Sequence, residues 1–540
     1  MFRILILALL ASGVVPPIQF EEIAAKAGLR FELQNGEAGG FHQIELTLGG
    51  VAAFDYNNDG CADVFFTNGA AIPSLRKTGA KFSNRLFRNN CNLTFTDVTV
   101  EAGLAGEGYS MAVDAGDFDN DGFTDLFVAG VKGNALYHNL GNGSFKAIAI
   151  PKAEPRWAVS AGWFDYDNDA WLDLFVANYV EWDAAKEPRC GPLERQYYCH
   201  PNAYRGLPNQ LFHNNRDGSF TDVSMGSGIG KQIGKGMGVA FADMDGDGFT
   251  DIFVANDSVR GLLFRNQGNG KFEEIGLEAG VELRDDGHAI AGMGADFRDL
   301  DNDGRPDLLV SGILNDSFLL FRNLGGRLGF EDYAQRTGLL MSTRQLTGWS
   351  LGIYDFDNDG WKDLFFALAH LMQLDRYLGR ESALPNRVYR NVEGKRLEDV
   401  SADVGVAFQA AALHRGAAFA DFDNDGRVDV VVSAVNGPAK LFHNVSSGKS
   451  HWLGIKLRGV RSNRQGLGAA VHVHLADGRD LYNHATTAVG YASSSEALVR
   501  FGLGASLIES IEIRWPGGAI QKLNHVAADR IVEITEDVEP

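Results

Sequence analysis

The chain has 540 residues, 45% of them hydrophobic, with Gly 65, Phe 35 and a formal charge of −21 at pH 7. Charge of that sign repels phosphate backbones and anionic headgroups, which excludes nucleic acid and a peripheral membrane surface as natural partners and favours cations. Glycine serves tight turns and aromatics serve pleated surfaces, so many short strands are expected and the class is all-β.

The first element is a leader. Arg3 precedes an apolar run from Ile4 to Val15, broken by Gly13 and closed by Pro16 and Pro17. The run falls short of the roughly 20 residues that span a bilayer, so residues 1–19 read as a secretory signal, with cleavage between Gly13 and Gln19 and no membrane insertion afterwards. The mature protein is therefore expected outside the cytoplasm, extracellular or periplasmic, as a monomer. Export makes disulfides chemically accessible. The four cysteines allow three pairings; Cys190 and Cys199 share one irregular segment and are favoured as a pair, leaving Cys61 with Cys91.

An acidic phrase then recurs seven times: DYNNDGCAD from Asp55, DFDNDGFTD from Asp117, DYDNDAWLD from Asp165, DMDGDGFTD from Asp243, DLDNDGRPD from Asp299, DFDNDGWKD from Asp355 and DFDNDGRVD from Asp421. Each runs into an apolar stretch such as Leu126-Phe127-Val128, so each is a loop leading into a buried strand. A second landmark follows each phrase and ends in Asn89, Asn139, Asn214, Asn266, Asn323, Asn391 or Asn444. A third, opened by Phe95, Phe145, Phe220, Phe272, Phe330 or Leu397, follows only six of these. The seventh copy, Phe20-Glu21-Glu22-Ile23, precedes the first repeat. That permutation is what a closed ring needs, because an N-terminal strand then completes the last repeat and hides a sheet edge. Residues 20–450 are accordingly expected to form a seven-bladed β-propeller. Two long connections, Glu181 to Asn209 and Leu371 to Asn386, read as insertions that build a binding surface on one rim.

The phrase suits a hard cation. Side chains at positions 1, 3, 5 and 9, with a backbone carbonyl at 7, can wrap Ca²⁺ in oxygen ligands, and glycine at 6 permits the reversal. The predicted ligands are Asp55, Asn57, Asp59 and Asp63; Asp117, Asp119, Asp121 and Asp125; Asp165, Asp167, Asp169 and Asp173; and Asp243, Asp245, Asp247 and Asp251. The remaining loops supply Asp299, Asp301, Asp303 and Asp307; Asp355, Asp357, Asp359 and Asp363; and Asp421, Asp423, Asp425 and Asp429. Ala170 replaces glycine in one loop, which is expected to be strained or to bind weakly. Up to seven Ca²⁺ would move the formal charge from −21 to about −7. The distal glutamate of a helix–loop–helix calcium motif is missing and strands flank the loops, so these are not EF-hands.

These repeats resemble the FG-GAP or VCBS class found in integrin α-subunit propellers, whose calcium loops have the same Asp-x-Asp-x-Asp-Gly-x-x-Asp form. The remainder, from His451-Trp452-Leu453-Gly454 through Ser462-Asn463-Arg464-Gln465-Gly466, Gly490-Tyr491-Ala492-Ser493 and Trp515-Pro516-Gly517-Gly518, resembles the ASPIC/UnbV domain. The chain as a whole is similar to bacterial members of the cartilage acidic protein family, without an evident EGF module. The resemblance implies an extracellular location and calcium binding and no established reaction.

Apolar and polar residues alternate at Leu453 to Arg458, Val471 to Leu475 and Ile511 to Trp515, so residues 451–540 should form a small β-sandwich or barrel packed on the propeller. His472 and His474 share one face of a strand, but no third ligand stands at a set spacing, and they read as a solvated or partner-facing pair. No nucleophile elbow, His-Glu-x-x-His motif or phosphate-binding glycine loop is present. His138, His213 and His443 occupy the slot held by arginine in other repeats and read as structural. Outside that slot, His288, His370 and His414, read as satisfied buried histidines, and Arg415 are the residues an activity would use. The sequence thus points to a binding or adhesion scaffold for an extracellular protein or glycan; the alternative is an extracellular enzyme, carbohydrate-active, built on a propeller.

Overall fold

The structure is a computed structural model that describes residues 18–150, 156–192, 194–284, 286–326, 329–372 and 379–537. Of the 1–19 leader, residues 1–17 lie outside the described residues, as does part of the 371–386 connection.

Among the described residues, seven antiparallel sheets share one plan. The innermost strands are Val51–Phe54, Ser110–Gly116, Ala158–Phe164, Gly236–Ala242, Ala295–Arg298, Gly348–Tyr354 and His414–Ala420. Each acidic phrase is the hairpin loop to the next strand outward, and its ninth-position aspartate opens that strand, as in Phe54↔Asp63 and Ala420↔Asp429. The innermost strands touch one another in chain order, and His414–Ala420 returns to Val51–Phe54, so the ring is a closed β-propeller. Their small residues answer to crowding near the axis. A Cβ on Gly162 would lie 2.0 Å from the Phe241 ring and one on Gly352 2.4 Å from Phe419, each aromatic coming from the next sheet round.

Closure follows the predicted permutation. Phe20–Glu22 pairs antiparallel with Lys440–Asn444, with Phe20 opposite Asn444, and completes the sheet whose innermost strand is His414–Ala420. The Phe20 ring packs 5.6 Å from Phe356 and 5.9 Å from Phe408.

The second-landmark asparagines hold the sheets together. Each of the seven is at most 3% exposed. Each side-chain amide donates to the carbonyl at position 8 of its own loop and to the carbonyl at position 2 of the preceding loop: Asn139 to Thr124 and Tyr56, for instance, and Asn444 to Val428 and Phe356. Asn89 closes the circle by donating to Phe422 of the last repeat at 2.7 Å.

The tail forms two sheets. One orders Val499–Gly504, His451–Arg458 and Arg530–Thr535; the other orders Asp480–His484, Ala470–Leu475, Ile508–Arg514 and Ile520–Asn524. Leu453, Ile455, Val471, Val473, Ile511, Ile513 and Trp515 lie in their shared apolar core. The tail does more than pack on the propeller, because its segment 487–495 enters the central channel. Ser494 pairs in parallel with Ala52, Gly490 exchanges both backbone hydrogen bonds with Ala295, and the Ala492 carbonyl accepts from Val113 at 3.2 Å. The Tyr491 hydroxyl donates to the Thr47 carbonyl near the opposite mouth.

Candidate functional site

The acidic loops are folded by their own carboxylates. In the loop from Asp117, Asp117 accepts the N–H groups of Asp121 at 3.1 Å and Gly122 at 2.9 Å, while Asp125 accepts those of Phe118 at 3.1 Å and Asn139 at 2.7 Å. The same four bonds recur in the other loops, for example from Asp355 and Asp363 to Asp359, Gly360, Phe356 and Asn391. Such donors favour the charged form. Burial outweighs them: it pushes the carboxyls of Asp63 up to about 8, Asp125 to about 9, Asp117 to about 7 and Asp165 to about 8, and it raises Asp251, Asp307 and Asp363 well above the usual range.

Third-position carboxylates are worse served. In Asp167, Asp301, Asp357 and Asp423 one oxygen, Oδ1, is buried without a hydrogen-bond partner. A buried acceptor left that way costs of the order of 1–3 kcal/mol unless something positive meets it. A donor set of hard carboxylate oxygens with such orphans fits a Ca²⁺ ion, which would be held by positions 1, 3, 5 and 9. The slot that alternates between histidine and arginine faces the same carboxylates. His138 Nδ1 lies 3.2 Å from Asp119 and 3.3 Å from Asp125, Arg390 reaches Asp357 at 2.8 Å and Asp359 at 2.7 Å, and Arg322 reaches Asp301 at 2.6 Å.

Two loops deviate. Ala170 takes φ +74°, where glycines such as Gly122 at +93° and Gly360 at +98° stand, and its N–H still reaches Asp165 at 2.9 Å. The loop is therefore built like the others, with a side chain in a region that costs roughly 1–2 kcal/mol for an L-residue. In the first loop the Asn57 amide donates to Asp59 at 2.8 Å, and the Cys61–Cys91 disulfide ties position 7 to the turn after Asn89. The second disulfide, Cys190–Cys199, closes a loop within the 181–209 connection.

All 28 predicted ligands lie on one face, and neighbouring loops are linked. The position-4 asparagines Asn58, Asn120, Asn168, Asn302, Asn358 and Asn424, at φ +56° to +58°, each donate to the position-6 carbonyl of the next loop at 2.8 to 3.0 Å. Gly246 has no side chain to make the corresponding link.

Sequence reasoning missed what covers this face. The tail sits on it: Gln465 accepts from the Asp117 N–H at 2.8 Å, Arg464 N–H donates to Asn120 at 2.8 Å, Arg479 to the Asp359 carbonyl at 3.1 Å, and Arg500 pairs with Asp421 at 3.2 Å. The available signal was the tail's balanced charge, nine Lys and Arg against ten Asp and Glu in residues 451–540 of a chain whose formal charge is −21. A cleft of about 500 Å³ remains between the two, walled by Asp55, Asp117, Asp421, Lys456, Arg464 and Glu496.

The histidines outside the slot do not converge. His288 is 77% exposed beside Asp286, contrary to the buried environment expected of it. His370 is buried and bonded to Thr347 at 2.9 Å. His414 is fully buried, which pushes its pKa down to about 3 and keeps it neutral. Arg415 is buried too, its guanidinium 3.9 Å over the Trp349 ring and donating to the Leu46 carbonyl. His472 and His474 are a different case: the expected lack of a third ligand is corrected by Asp480, whose Oδ1 meets both rings.

The chain is similar to known proteins in two blocks. The family described as FG-GAP-like repeat matches residues 55–128, 117–176, 202–254, 243–310, 299–366 and 355–432, and the family described as ASPIC and UnbV matches residues 459–540. Cartilage acidic protein 1 of Homo sapiens is 26% identical over 334 residues, 59% of this chain and 46% of that protein. Its Xenopus tropicalis counterpart is 27% identical over 316 residues, 56% of this chain and 44% of that protein. The match therefore spans under half of those relatives' length. Among solved structures, an Agrocybe aegerita lectin that recognises non-reducing terminal N-acetylglucosamine overlays with a TM-score of 0.40 at 16% identity, covering 74% of this chain and 89% of the lectin. With the repeat family matching more than half of its length, and seven sheets built on the repeat, the chain belongs to the FG-GAP-like repeat family and ends in an ASPIC and UnbV domain.

Proposed function

We propose that the protein is a secreted, calcium-binding propeller that serves as an extracellular scaffold for a protein or glycan partner. The observation that carries the calcium reading is the set of buried, unpartnered oxygens on Asp167, Asp301, Asp357 and Asp423, repeated in loops of one design. Export agrees with two disulfides, which persist in oxidising compartments. No described helix is long and apolar enough to cross a membrane.

The partner surface follows from what is already occupied. The tail covers the acidic-loop face and its 487–495 segment fills the channel, so the rim that carries the 181–209 connection is the face left to a partner. There a cleft of about 390 Å³ is walled by Lys132, Arg156, Trp157, Trp182 and Arg205. Its exposed lining is mainly polar, and the cations of Lys132, Arg156 and Arg205 set beside the Trp182 ring suit a glycan or a peptide loop. Glycan and protein arrays, probed with the intact chain and with Trp182→Ala plus Arg205→Ala, test this reading. Hits that depend on calcium and weaken in the variant are expected; hits indifferent to both changes place the partner elsewhere.

A further inference from the structure

We propose that His472, His474 and Asp480 form a binding site for a late first-row divalent cation, Zn²⁺ foremost, on the outer face of the tail's four-stranded sheet. Its three ligands belong to none of the seven acidic loops and differ from theirs in chemistry.

The strand Ala470–Leu475 places Val471, Val473 and Leu475 in the core at no more than 1% exposure. Strand side chains alternate, so His472 and His474 point together to the outer face. A tight turn with Gly478 at φ +87° returns the chain, and the register sets Asp480 directly opposite His474. As a result one carboxylate oxygen, Asp480 Oδ1, lies 2.6 Å from His472 Nε2 and 2.7 Å from His474 Nδ1. The three side chains are 31%, 37% and 39% exposed, open to an ion from solution.

The surroundings hold both rings. His472 stacks on Tyr482 with centroids 4.4 Å apart and planes at 13°. The remaining nitrogen of His474, Nε2, faces Glu509 on the adjoining strand at 3.6 Å. A carboxylate behind an imidazole is what orients a metal-bound histidine and raises its basicity. Two imidazoles and one carboxylate are the three-ligand set that zinc accepts with a fourth position left for water. Calcium selects oxygen ligands and would pass this site by in favour of the loops. Because all three ligands stand on paired strands, little ordering entropy opposes binding.

The test uses the full chain saturated with excess calcium and titrated calorimetrically with ZnCl₂. One Zn²⁺ per chain is expected, with His472→Ala and Asp480→Asn each weakening it by about 100-fold or more, given that even outer partners are worth about 10–100-fold. Loss of Glu509, as Glu509→Gln, should cost about 10-fold. All these side chains are partly exposed, and melting curves in excess calcium would show whether the variants remain folded. In the Cu²⁺ adduct, electron paramagnetic resonance should count two imidazole nitrogens. Absence of stoichiometric Zn²⁺ binding, or equal binding by the folded His472→Ala, His474→Ala double variant, overturns the assignment.

Discussion

The side-chain amide of Asn424 donates to the backbone carbonyl of Gly60 at 3.0 Å, so the loop of the last repeat grips the loop of the first. Six such links run round the acidic face, and the position where the seventh would start is Gly246. Both Asn424 and Gly246 have positive φ, +58° and +76°, so glycine and asparagine can be exchanged there without backbone strain. Asn424→Gly should lower stability by about 0.5–1 kcal/mol, the net worth of one hydrogen bond, and Gly246→Asn should raise it by a similar amount. Denaturant midpoints in excess calcium check both; a destabilising Gly246→Asn would mean that the link is a by-product of loop shape.

Ala170 provides a test of strain. Relief of its left-handed conformation in Ala170→Gly is worth roughly 1–2 kcal/mol, offset by about 0.4–1 kcal/mol of extra unfolded-chain entropy. A net gain of about 0.5–1 kcal/mol is expected. The converse, Gly248→Ala at φ +90° with nothing within 4 Å of the added Cβ, should cost about as much. Thermal melts of the pair decide whether backbone conformation, and not contact, sets the preference at position 6.

Calcium and pH should act against each other. The carboxyls of Asp63, Asp117, Asp125 and Asp165 are raised to about 8, 7, 9 and 8 by burial. A carboxyl whose folded pKa exceeds its unfolded value binds more protons when folded, so its stabilising effect is present at low pH and is lost as pH rises from about 4 through the folded value. Metal-stripped protein should therefore melt at a lower temperature at pH 8.5 than at pH 5.5. Added calcium should reverse that order, because the ion binds the charged carboxylates of the native state and stabilises by mass action. Identical melting curves with calcium and with chelator would make the carboxylates turn-formers only.

The channel segment should be intolerant of a single methyl group. Gly490 sits at φ +72°, and a Cβ there would lie 2.4 Å from both the Leu351 carbonyl oxygen and Ser350 Oγ. Overpacking and left-handed strain together predict a loss of about 2–4 kcal/mol for Gly490→Ala. If the whole propeller depends on the inserted segment, one cooperative unfolding transition should shift; a separate early transition confined to the tail would show the two units to be energetically independent.

Several features were legible without a fold. The seven acidic phrases, their place before buried strands, the missing third landmark and its copy at Phe20 depend on local turn chemistry and on repeat spacing, and both are written along the chain. The disulfide pairing was legible too, since Cys190 and Cys199 share one segment at a separation of 9 and leave Cys61 for Cys91. Other features had no local trace. Asn89 as a bridge to Phe422, segment 487–495 threading the channel, and the tail covering the acidic face are contacts between distant residues that leave no periodic signature. Asp480 shows the boundary within a single hairpin: two histidines at alternate positions announce a shared face, but which carboxylate meets them is set by the length of one turn and the register of the strand that follows.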